Sequence, residues 1–138
     1  MKKVLITGID GFTGVYLEEL LLRAGYDVYG LVYPTSRNKK HLSCNIADKD
    51  DVASALNTIK PDAIIHLAGI SFVPHSDIRQ IYNINFFGTL NILDAVTDIG
   101  LKPDKIVLAS SANVYGNPSI GIIDETICPS PVNDYAIS

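Results

Sequence analysis

The sequence predicts an α/β fold built on a doubly wound parallel sheet. Short runs of apolar, largely β-branched residues alternate with longer amphipathic stretches along the whole chain. Such runs are typical of parallel strands buried on both faces, and the amphipathic stretches are typical of the crossover helices between them. A glycine-rich turn also follows the first apolar run directly, at a position where this fold class binds ligands.

The first unit is a strand, a turn and a helix. The run from Lys3 to Ile6 predicts a buried strand. A helix is predicted from Phe12 to Ala24, and Gly25 is a typical helix stop. The apolar residues that recur along this helix are Val15, Leu17, Leu20 and Leu21.

Two strands and a second helix come next. Val28 to Val32 predicts the second strand, and Leu42 to Cys44 predicts a short third strand. The second helix is predicted from Asp48 to Lys60, because aspartate favours helix N-caps and the proline after Lys60 cannot continue a helix.

The rest of the chain repeats this alternation. Ala63 to Leu67 predicts the fourth strand, and Lys105 to Ala109 predicts the fifth. Between them a long helix is predicted from Ile78 to Ile99. After a turn-rich stretch, Asp134 to Ser138 has the pattern of a helix that is beginning. The apolar residues at helical spacing in the long helix are Ile81, Ile84, Leu90, Leu93 and Val96.

Composition limits the classes of partner and location. With 138 residues, 47% of them hydrophobic, the chain is long enough for one domain, residues 1–138, with its own core. A net charge of −4 argues against binding to nucleic acid or to an anionic membrane. Cys44 and Cys128 lack metal or redox spacing, so we expect no metal site and a reducing compartment. We see no signal peptide or spanning segment, and we expect a cytoplasmic protein.

The glycine turn indicates a phosphate ligand. Gly8, Gly11 and Gly14 lie between the first strand and the first helix. Glycine leaves room for backbone to approach a ligand, and the N-terminus of the helix provides N–H groups and a favourable dipole for an anion. The turn therefore predicts a site for the pyrophosphate of a dinucleotide. A plain turn without a ligand remains the alternative.

Other polar and glycine residues follow the ends of neighbouring strands. In a doubly wound sheet, ligands bind outside the carboxyl ends of the strands, where the strand order reverses. The segments predicted to meet there are Gly8, Tyr33 to Arg37, His66 to Gly69, and Ser110 with Ser111. We therefore expect the binding site at this edge.

Five motifs follow one another along the whole chain: Thr7-Gly8-x-x-Gly11-Phe12-x-Gly14, His66-Leu67-Ala68-Gly69, Asn85-x-x-Gly88-Thr89, Ser110-Ser111-x-x-Val114-Tyr115-Gly116 and Tyr135-Ala136-Ile137-Ser138. In type and order they resemble the extended short-chain dehydrogenase/reductase family, in particular its nucleotide-sugar epimerases, dehydratases and 4-keto reductases. Within this group the chain is most similar to the GDP-4-keto-6-deoxymannose reductases. The resemblance implies a Rossmann fold and a nucleotide-diphosphate sugar as substrate.

The resemblance assigns roles to individual residues. It implies that Ser111 and Tyr135 are catalytic, that His66 is structural, and that Asn85 supports the long helix and the site. A family lysine, which would directly follow Ser138, lowers the pKa of the tyrosine. The implied cofactor-binding residues are Gly8, Gly11, Phe12, Thr13, Gly14, Ser36, Arg37, Asn45, Ile46, Leu67, Ala68, Gly69, Asn85 and Tyr135.

The extent of the resemblance leads us to expect the N-terminal part of a longer enzyme. The family's last strands, the C-terminal substrate domain and the lysine would all follow Ser138. By itself this part would be inactive. The family also implies a homodimer through the long helix after strand four.

The segment after the second strand favours NADP over NAD, although NAD remains possible. It contains no carboxylate to bind a ribose 2′-hydroxyl, whereas Arg37, beside Ser36, is suited to a 2′-phosphate. Asn45 and Ile46 stand where the family usually has an aspartate and an aliphatic residue around the adenine. The carbonyl of Asn45 is still able to accept a hydrogen bond from the adenine amino group.

Several reactions and functions stay open. Dehydratases of the family have Asp-Glu after the catalytic hydroxyl residue, whereas this chain has Ala112 and Asn113, so epimerisation or reduction at C4 of the sugar is favoured over dehydration. An inactive sensor or scaffold that binds NAD(P), and an isolated binding module, are the alternatives from other classes. An isolated module would expose the sheet edge and the incomplete last helix, and should aggregate or dimerise.

Overall fold

The structure is a computed structural model of the chain, and it describes residues 1–35, 38–71, 77–118 and 121–138. Within these residues, five parallel strands form one sheet in the order β3-β2-β1-β4-β5. The order reverses between β1 and β4, which confirms the predicted doubly wound sheet and its switch point. The strands are β1 (Lys3–Thr7), β2 (Asp27–Val32), β3 (His41–Ser43), β4 (Ala63–His66) and β5 (Lys105–Leu108).

The helices agree with the predicted positions, with one difference. The predicted long helix is not α-helical throughout, because a π-helical segment, Tyr82–Phe87, separates its two α-helical parts. A short 3₁₀ turn, Ala112–Tyr115, follows β5. The α-helices are α1 (Phe12–Arg23), α2 (Lys49–Ile59), α3 (Ile78–Ile81), α4 (Gly88–Asp98) and α5 (Asp134–Ile137).

Local signals in the sequence explain where α2 begins and ends. The Asp48 side chain accepts hydrogen bonds from the backbone N–H groups of Asp50 and Asp51, so it is the expected N-cap. At the other end Lys60 adopts a left-handed conformation with φ of 50°. Pro61 then prevents another helical turn.

Two apolar cores lie on opposite faces of the sheet. The larger core joins the sheet to α2 and α4, and includes Leu5, Ile64 and Ile92. The smaller core lies beneath α1 and includes Val4, Ile6, Ile9, Val28 and Val32.

The two faces of the sheet are not equally covered. Leu17 and Leu21 of α1 pack on the smaller core, whereas Val15 and Leu20 are 53% and 63% exposed. Val107 of β5 pairs in register with Ile65, a neighbour of that core, and is 44% exposed. The helix thus uses only part of its predicted apolar face.

The described part of the chain has no helix that combines the length and the apolar character needed to cross a membrane.

Candidate functional site

The glycine turn is tight because backbone approaches backbone there. Gly8 has φ of +66°, and a Cβ on it would lie 2.9 Å from the Cα and the N of Ala68. A Cβ on Gly14 would lie 2.5 Å from the carbonyl oxygen of Ile9. Side chains at either position would push α1 or the segment after β4 away from β1.

The N-terminus of α1 is open to an anion. Gly11 is the N-cap, and no side chain in the described part of the chain caps the helix. The N–H of Gly11 donates to the carbonyl of Gly8 at 3.0 Å, which closes the turn. The N–H groups of Phe12, Thr13 and Gly14 in the first turn therefore remain for a ligand, and the helix dipole favours a negative one.

A cleft of about 340 Å³ extends from this turn past the ends of β2 and β3. Its walls combine backbone at the glycines with mostly apolar side chains, and Asp10, Tyr33 and Asn45 are the polar ones among them. A mostly apolar wall suits a flat base. It brings together several predicted cofactor residues: Gly8, Gly11, Asn45, Ile46, Leu67, Ala68 and Gly69. Ser36 and Arg37, the residues predicted to select the cofactor, lie outside the described residues.

Contacts from α4 fix the floor of this cleft. The side-chain amide of Asn91 donates to the carbonyl of Ile46 at 2.9 Å. Gly88 allows the close approach, because a Cβ there would lie 2.9 Å from Cδ1 of Ile46. The Cys44 thiol beside it is buried, and burial with nearby Asp51 and Asp48 raises its pKa to about 11. Cys44 is therefore a neutral part of the wall.

A buried chain of hydrogen bonds, the Thr7–His66–Thr89 relay, links the glycine turn to the long helix. Thr7 Oγ1 lies 2.6 Å from His66 Nδ1, and His66 Nε2 lies 3.0 Å from Thr89 Oγ1. Thr7 Oγ1 also accepts from the N–H of Ala68 at 3.0 Å, and Thr89 Oγ1 donates to the carbonyl of Asn85 at 2.6 Å.

The relay permits one direction of donation. Thr89 uses its only proton on Asn85, so it accepts from His66, and the imidazole proton is therefore on Nε2. Nδ1 then accepts the proton of Thr7. Burial lowers the pKa of His66 to about 4, so the ring is neutral at physiological pH. A neutral ring with both nitrogens engaged suits the predicted structural role.

Asn85 lies in the π-helical segment and holds the segment after β4. Its Oδ1 accepts from the N–H of Ile70 at 2.7 Å, and its Nδ2 donates to the carbonyl of Ile70 at 3.2 Å. Nδ2 also donates to Ser138 Oγ at 3.1 Å, which joins this segment to α5. The amide is thus occupied by protein groups.

A second cleft, of about 440 Å³, lies past the ends of β4 and β5. Both predicted catalytic residues, Ser111 and Tyr135, line it, together with His66 and Asn85. It shares Leu67, Ala68, Gly69 and Ile70 with the cleft at the glycine turn. A ligand as long as a dinucleotide could therefore pass from one cleft to the other along the segment after β4.

Ser111 is arranged to donate a hydrogen bond. It caps the 3₁₀ turn, and its Oγ accepts from the N–H and from the side-chain amide of Asn113, at 3.2 and 3.0 Å. No acceptor for its own proton lies among the described residues. Because both lone pairs are used, its remaining capacity is one O–H donor, the group needed to hold a ligand oxygen.

Tyr135 is placed by contacts around α5. Asn133 caps this short helix by accepting from the N–H of Ala136 at 2.8 Å. The hydroxyl of Tyr82, in the π-helical segment, donates to Asp134 at 3.3 Å. Tyr135 is partly buried and lines the second cleft.

Some residues of the site were not assigned from the sequence. Thr7 and Thr89 carry the relay, and Ile70 and Ser138 are the partners of Asn85. Thr7 does give a signal, since a polar residue inside a buried strand needs a hydrogen-bonding partner. Nothing in the sequence names that partner, because His66 follows 59 residues later.

Comparison with known proteins identifies relatives over nearly the whole chain. A family model described as GDP-mannose 4,6 dehydratase matches residues 5–138. GDP-6-deoxy-D-talose 4-dehydrogenase from Aggregatibacter actinomycetemcomitans is 31% identical over 137 residues, which are 99% of this chain and 44% of that protein.

Solved structures agree in fold. UDP-glucose 4-epimerase from Thermus thermophilus, in complex with NAD, has a TM-score of 0.86 and 31% identity, over 98% of this chain and 46% of its own. RMD from Pseudomonas aeruginosa, complexed with NADPH, has a TM-score of 0.80 and 30% identity, over 99% of this chain and 44% of its own. The chain therefore spans a little under half the length of these relatives.

Proposed function

Because this chain belongs to the GDP-mannose 4,6-dehydratase family of extended short-chain dehydrogenases/reductases, we propose that it binds NAD(P) as residues 1–138 of a nucleotide-sugar enzyme. In that enzyme it forms the N-terminal, cofactor-binding part. The reaction is epimerisation at C4 or reduction of a 4-keto sugar. The observation that carries this proposal is the N-terminus of α1, which no side chain of the described residues caps and which follows the glycine turn at the edge of the cleft with Asn45.

The residues present fit a dinucleotide. The first-turn N–H groups of α1 hold the pyrophosphate, since no side chain of the described residues caps them and the helix dipole favours an anion. The cleft at Asn45 takes the adenosine, because its walls are mostly apolar and neither Ser111 nor Tyr135 lines it. The nicotinamide, which supplies hydride transfer when bound, belongs in the cleft with Ser111 and Tyr135.

Ser111 and Tyr135 act on the sugar oxygen. Ser111 donates its free O–H to the oxygen at C4 and so orients the sugar, because Asn113 fixes the Ser111 hydroxyl from the other side. Tyr135 exchanges a proton with the same oxygen as C4 is oxidised or reduced. His66 takes no part in proton transfer, because both ring nitrogens are engaged by threonines.

We assign NADP as the preferred cofactor. β2 ends at Val32 and is followed by Tyr33, so no carboxylate stands where it would bind a ribose 2′-hydroxyl and repel a 2′-phosphate. The sequence places Ser36 and Arg37 in the segment that follows. The solved relatives carry NAD in one case and NADPH in another, so the family allows both.

Fluorescence titration of the purified chain tests the proposal. We expect NADPH and NADH to bind, with the lower dissociation constant for NADPH, and Arg37→Ala to reduce that difference by about tenfold. Lys39→Ala, which removes a positive charge close by in the sequence, should leave the ratio of the two dissociation constants unchanged. Failure of both dinucleotides to bind would contradict the proposal.

Dehydration is a second candidate, because the matching family model is described as a GDP-mannose 4,6 dehydratase. Two residues favour epimerisation or reduction instead. Water elimination needs an acid and a base beside the sugar, whereas Ala112 and Asn113 supply neither. Asn113 also uses its amide on Ser111.

The proposed assembly is a cytoplasmic homodimer that contacts through the long helix. Ile78, Phe86 and Phe87 on this helix are about half exposed, which supports an interface there. The two free thiols, Cys44 and Cys128, agree with a reducing compartment.

A further inference from the structure

We propose that Asp10 makes the pyrophosphate site selective by charge, so that it favours the pyrophosphate of a dinucleotide over the more highly charged phosphates of nucleoside di- and triphosphates. The inference rests on the proposed function, because it needs the pyrophosphate to lie at the N-terminus of α1. It goes further in assigning the discrimination against competing nucleotides to a single side chain.

The glycine turn fixes the direction in which Asp10 points. The N–H of Gly11 donates to the carbonyl of Gly8 at 3.0 Å, so Ile9 and Asp10 are the two central residues of a tight turn. Ile9 is fully buried in the smaller core, and it packs over Gly30 of β2, where a Cβ would clash with its Cγ2. Because Ile9 anchors the turn from below, Asp10 is the exposed residue of the two, and it lines the cleft of about 340 Å³.

The Asp10 carboxylate lies close to the proposed pyrophosphate site and has no partner of its own. It makes no hydrogen bond or ion pair with any of the described residues. Consecutive Cα atoms are about 3.8 Å apart, so those of Asp10 and Phe12 are separated by at most about 7.6 Å. This distance is about one Debye length at physiological salt. An anion held by the first turn of α1 is therefore repelled by Asp10.

A carboxylate beside the phosphates weakens binding in proportion to their charge. The pyrophosphate of a dinucleotide is esterified at both ends, so each phosphate carries a single charge. ADP carries one negative charge more and ATP two more, because a terminal phosphate monoester loses a second proton at about pH 6. Two unit charges about 6 Å apart in water change a binding constant by about threefold. Asp10 therefore weakens the binding of ADP and ATP more than the binding of a dinucleotide.

The test uses three ligands that share the adenosine group and differ in the charge of their phosphates: ADP-ribose, ADP and ATP. Each displaces NADH from the purified chain at pH 8 without divalent cations, with nicotinamide fluorescence as the readout. All three lack a ribose 2′-phosphate. We expect Asp10→Asn to lower the ratio of the dissociation constant of ADP to that of ADP-ribose by about threefold. The corresponding ratio for ATP should fall by at least as much.

A second variant and a matched control separate charge from shape. Asp10→Ser removes the same charge with a shorter side chain, so it should lower both ratios as Asp10→Asn does. Glu19→Gln removes a negative charge from an exposed site of α1 that lies about 10 Å farther along the helix than Phe12. It should leave both ratios unchanged. In about 1 M sodium chloride, where the Debye length is about 3 Å, the effect of the Asp10 variants should shrink.

Unchanged ratios in both Asp10 variants, an equal fall in Glu19→Gln, or a fall that high salt does not reduce would overturn the inference and leave the proposed function intact. Failure of both NADPH and NADH to bind the unchanged chain would overturn both.

Discussion

Single residues make the glycine turn and the Thr7–His66–Thr89 relay possible. Gly14 and Gly8 are needed because backbone atoms occupy the space that a Cβ would take, whether or not a ligand is present. His66 is needed because the hydroxyls of Thr7, which is buried, and of Thr89, which is partly buried, require a partner with one donor and one acceptor. The first requirement is steric and the second is for hydrogen bonding, and each concerns only atoms in direct contact with the residue.

Gly14→Ala should destabilise the chain. Alanine is normally better than glycine inside a helix by about 1 kcal/mol, but here its methyl group would lie 2.5 Å from the carbonyl oxygen of Ile9. We expect the clash to dominate, with a loss of about 2 kcal/mol or more in the free energy of unfolding measured in urea. Gly121→Ala, which meets no atom within 4 Å, should change it by less than about 0.5 kcal/mol.

His66 should make folding stability depend on pH in the acid range. Its pKa is about 4 in the folded chain against a reference of 6.5, so below pH 6.5 the unfolded chain takes up a proton that the folded chain does not. The free energy of unfolding should be highest above pH 6.5 and fall by about 3 kcal/mol as the pH drops to 4.

The measurement is urea unfolding between pH 7 and pH 4, where His66→Gln should show a smaller slope than the unchanged chain. The ring signals of His66, followed by NMR, give a second readout that does not need the variant to fold. The chemical shifts of these signals should stay constant from pH 8 to pH 5. A titration midpoint near pH 6.5 in these shifts would contradict the buried relay.

At the scale of elements, the π-helical segment is the feature that the sequence pattern did not predict. The apolar spacing from Ile81 to Val96 suits an uninterrupted α-helix, because periodicity records only which face is buried. The backbone departs from it where Asn85 reaches Ile70 and Thr89 bonds back to the Asn85 carbonyl. Such insertions are frequent at functional sites, and here the insertion is in the wall of the second cleft.

Thr89→Val should cost about 1–3 kcal/mol in the free energy of unfolding, because it leaves the buried Nε2–H of His66 without an acceptor. Thr89→Ser should recover most of this loss, since it keeps the hydroxyl. Thr97→Val is the matched control. Thr97 makes the same bond to the carbonyl four residues earlier, but at an exposed position, so we expect a change below about 0.5 kcal/mol in urea. Equal losses in Thr89→Val and Thr97→Val would argue against the relay.

In the whole molecule, apolar side chains of the described residues remain exposed on several surfaces, and two of these surfaces bear on the proposed dimer. One consists of α1 and β5, with Leu20 and Val107 among its exposed residues, and the other is the long helix, with Phe86 and Phe87. Patches of this kind favour association. The proposed dimer uses the second surface, which makes the two surfaces distinguishable by mutation.

Phe87→Glu should convert the proposed dimer to a monomer, because a charge in an apolar interface loses its hydration. Light scattering after size-exclusion chromatography measures the mass. Leu20→Glu, on α1 at the other surface, should leave the mass unchanged. If Leu20→Glu dissociated the dimer and Phe87→Glu did not, the contact would lie on the surface of α1 and β5, and the proposed interface would be wrong.

Local signals in the sequence predict the order of strands and helices, the glycine turn and the candidates Ser111 and Tyr135. These follow from local properties, namely apolar periodicity, caps such as Asp48 and residue types in a motif. The strand order, confirmed in the structure, also follows from the class of fold.

The hydrogen bonds between residues far apart in the sequence depend instead on how the chain packs in three dimensions. The pairing of Thr7 with His66 joins residues 59 positions apart, and the contacts of Asn85 with Ile70 and Ser138 span 15 and 53 positions. A polar side chain has several possible partners in the sequence, and burial leaves it the one that packing brings within about 3 Å. For the same reason, the bond from the N–H of Ala47, and not the residue type alone, determines which way the side-chain amide of Asn45 points.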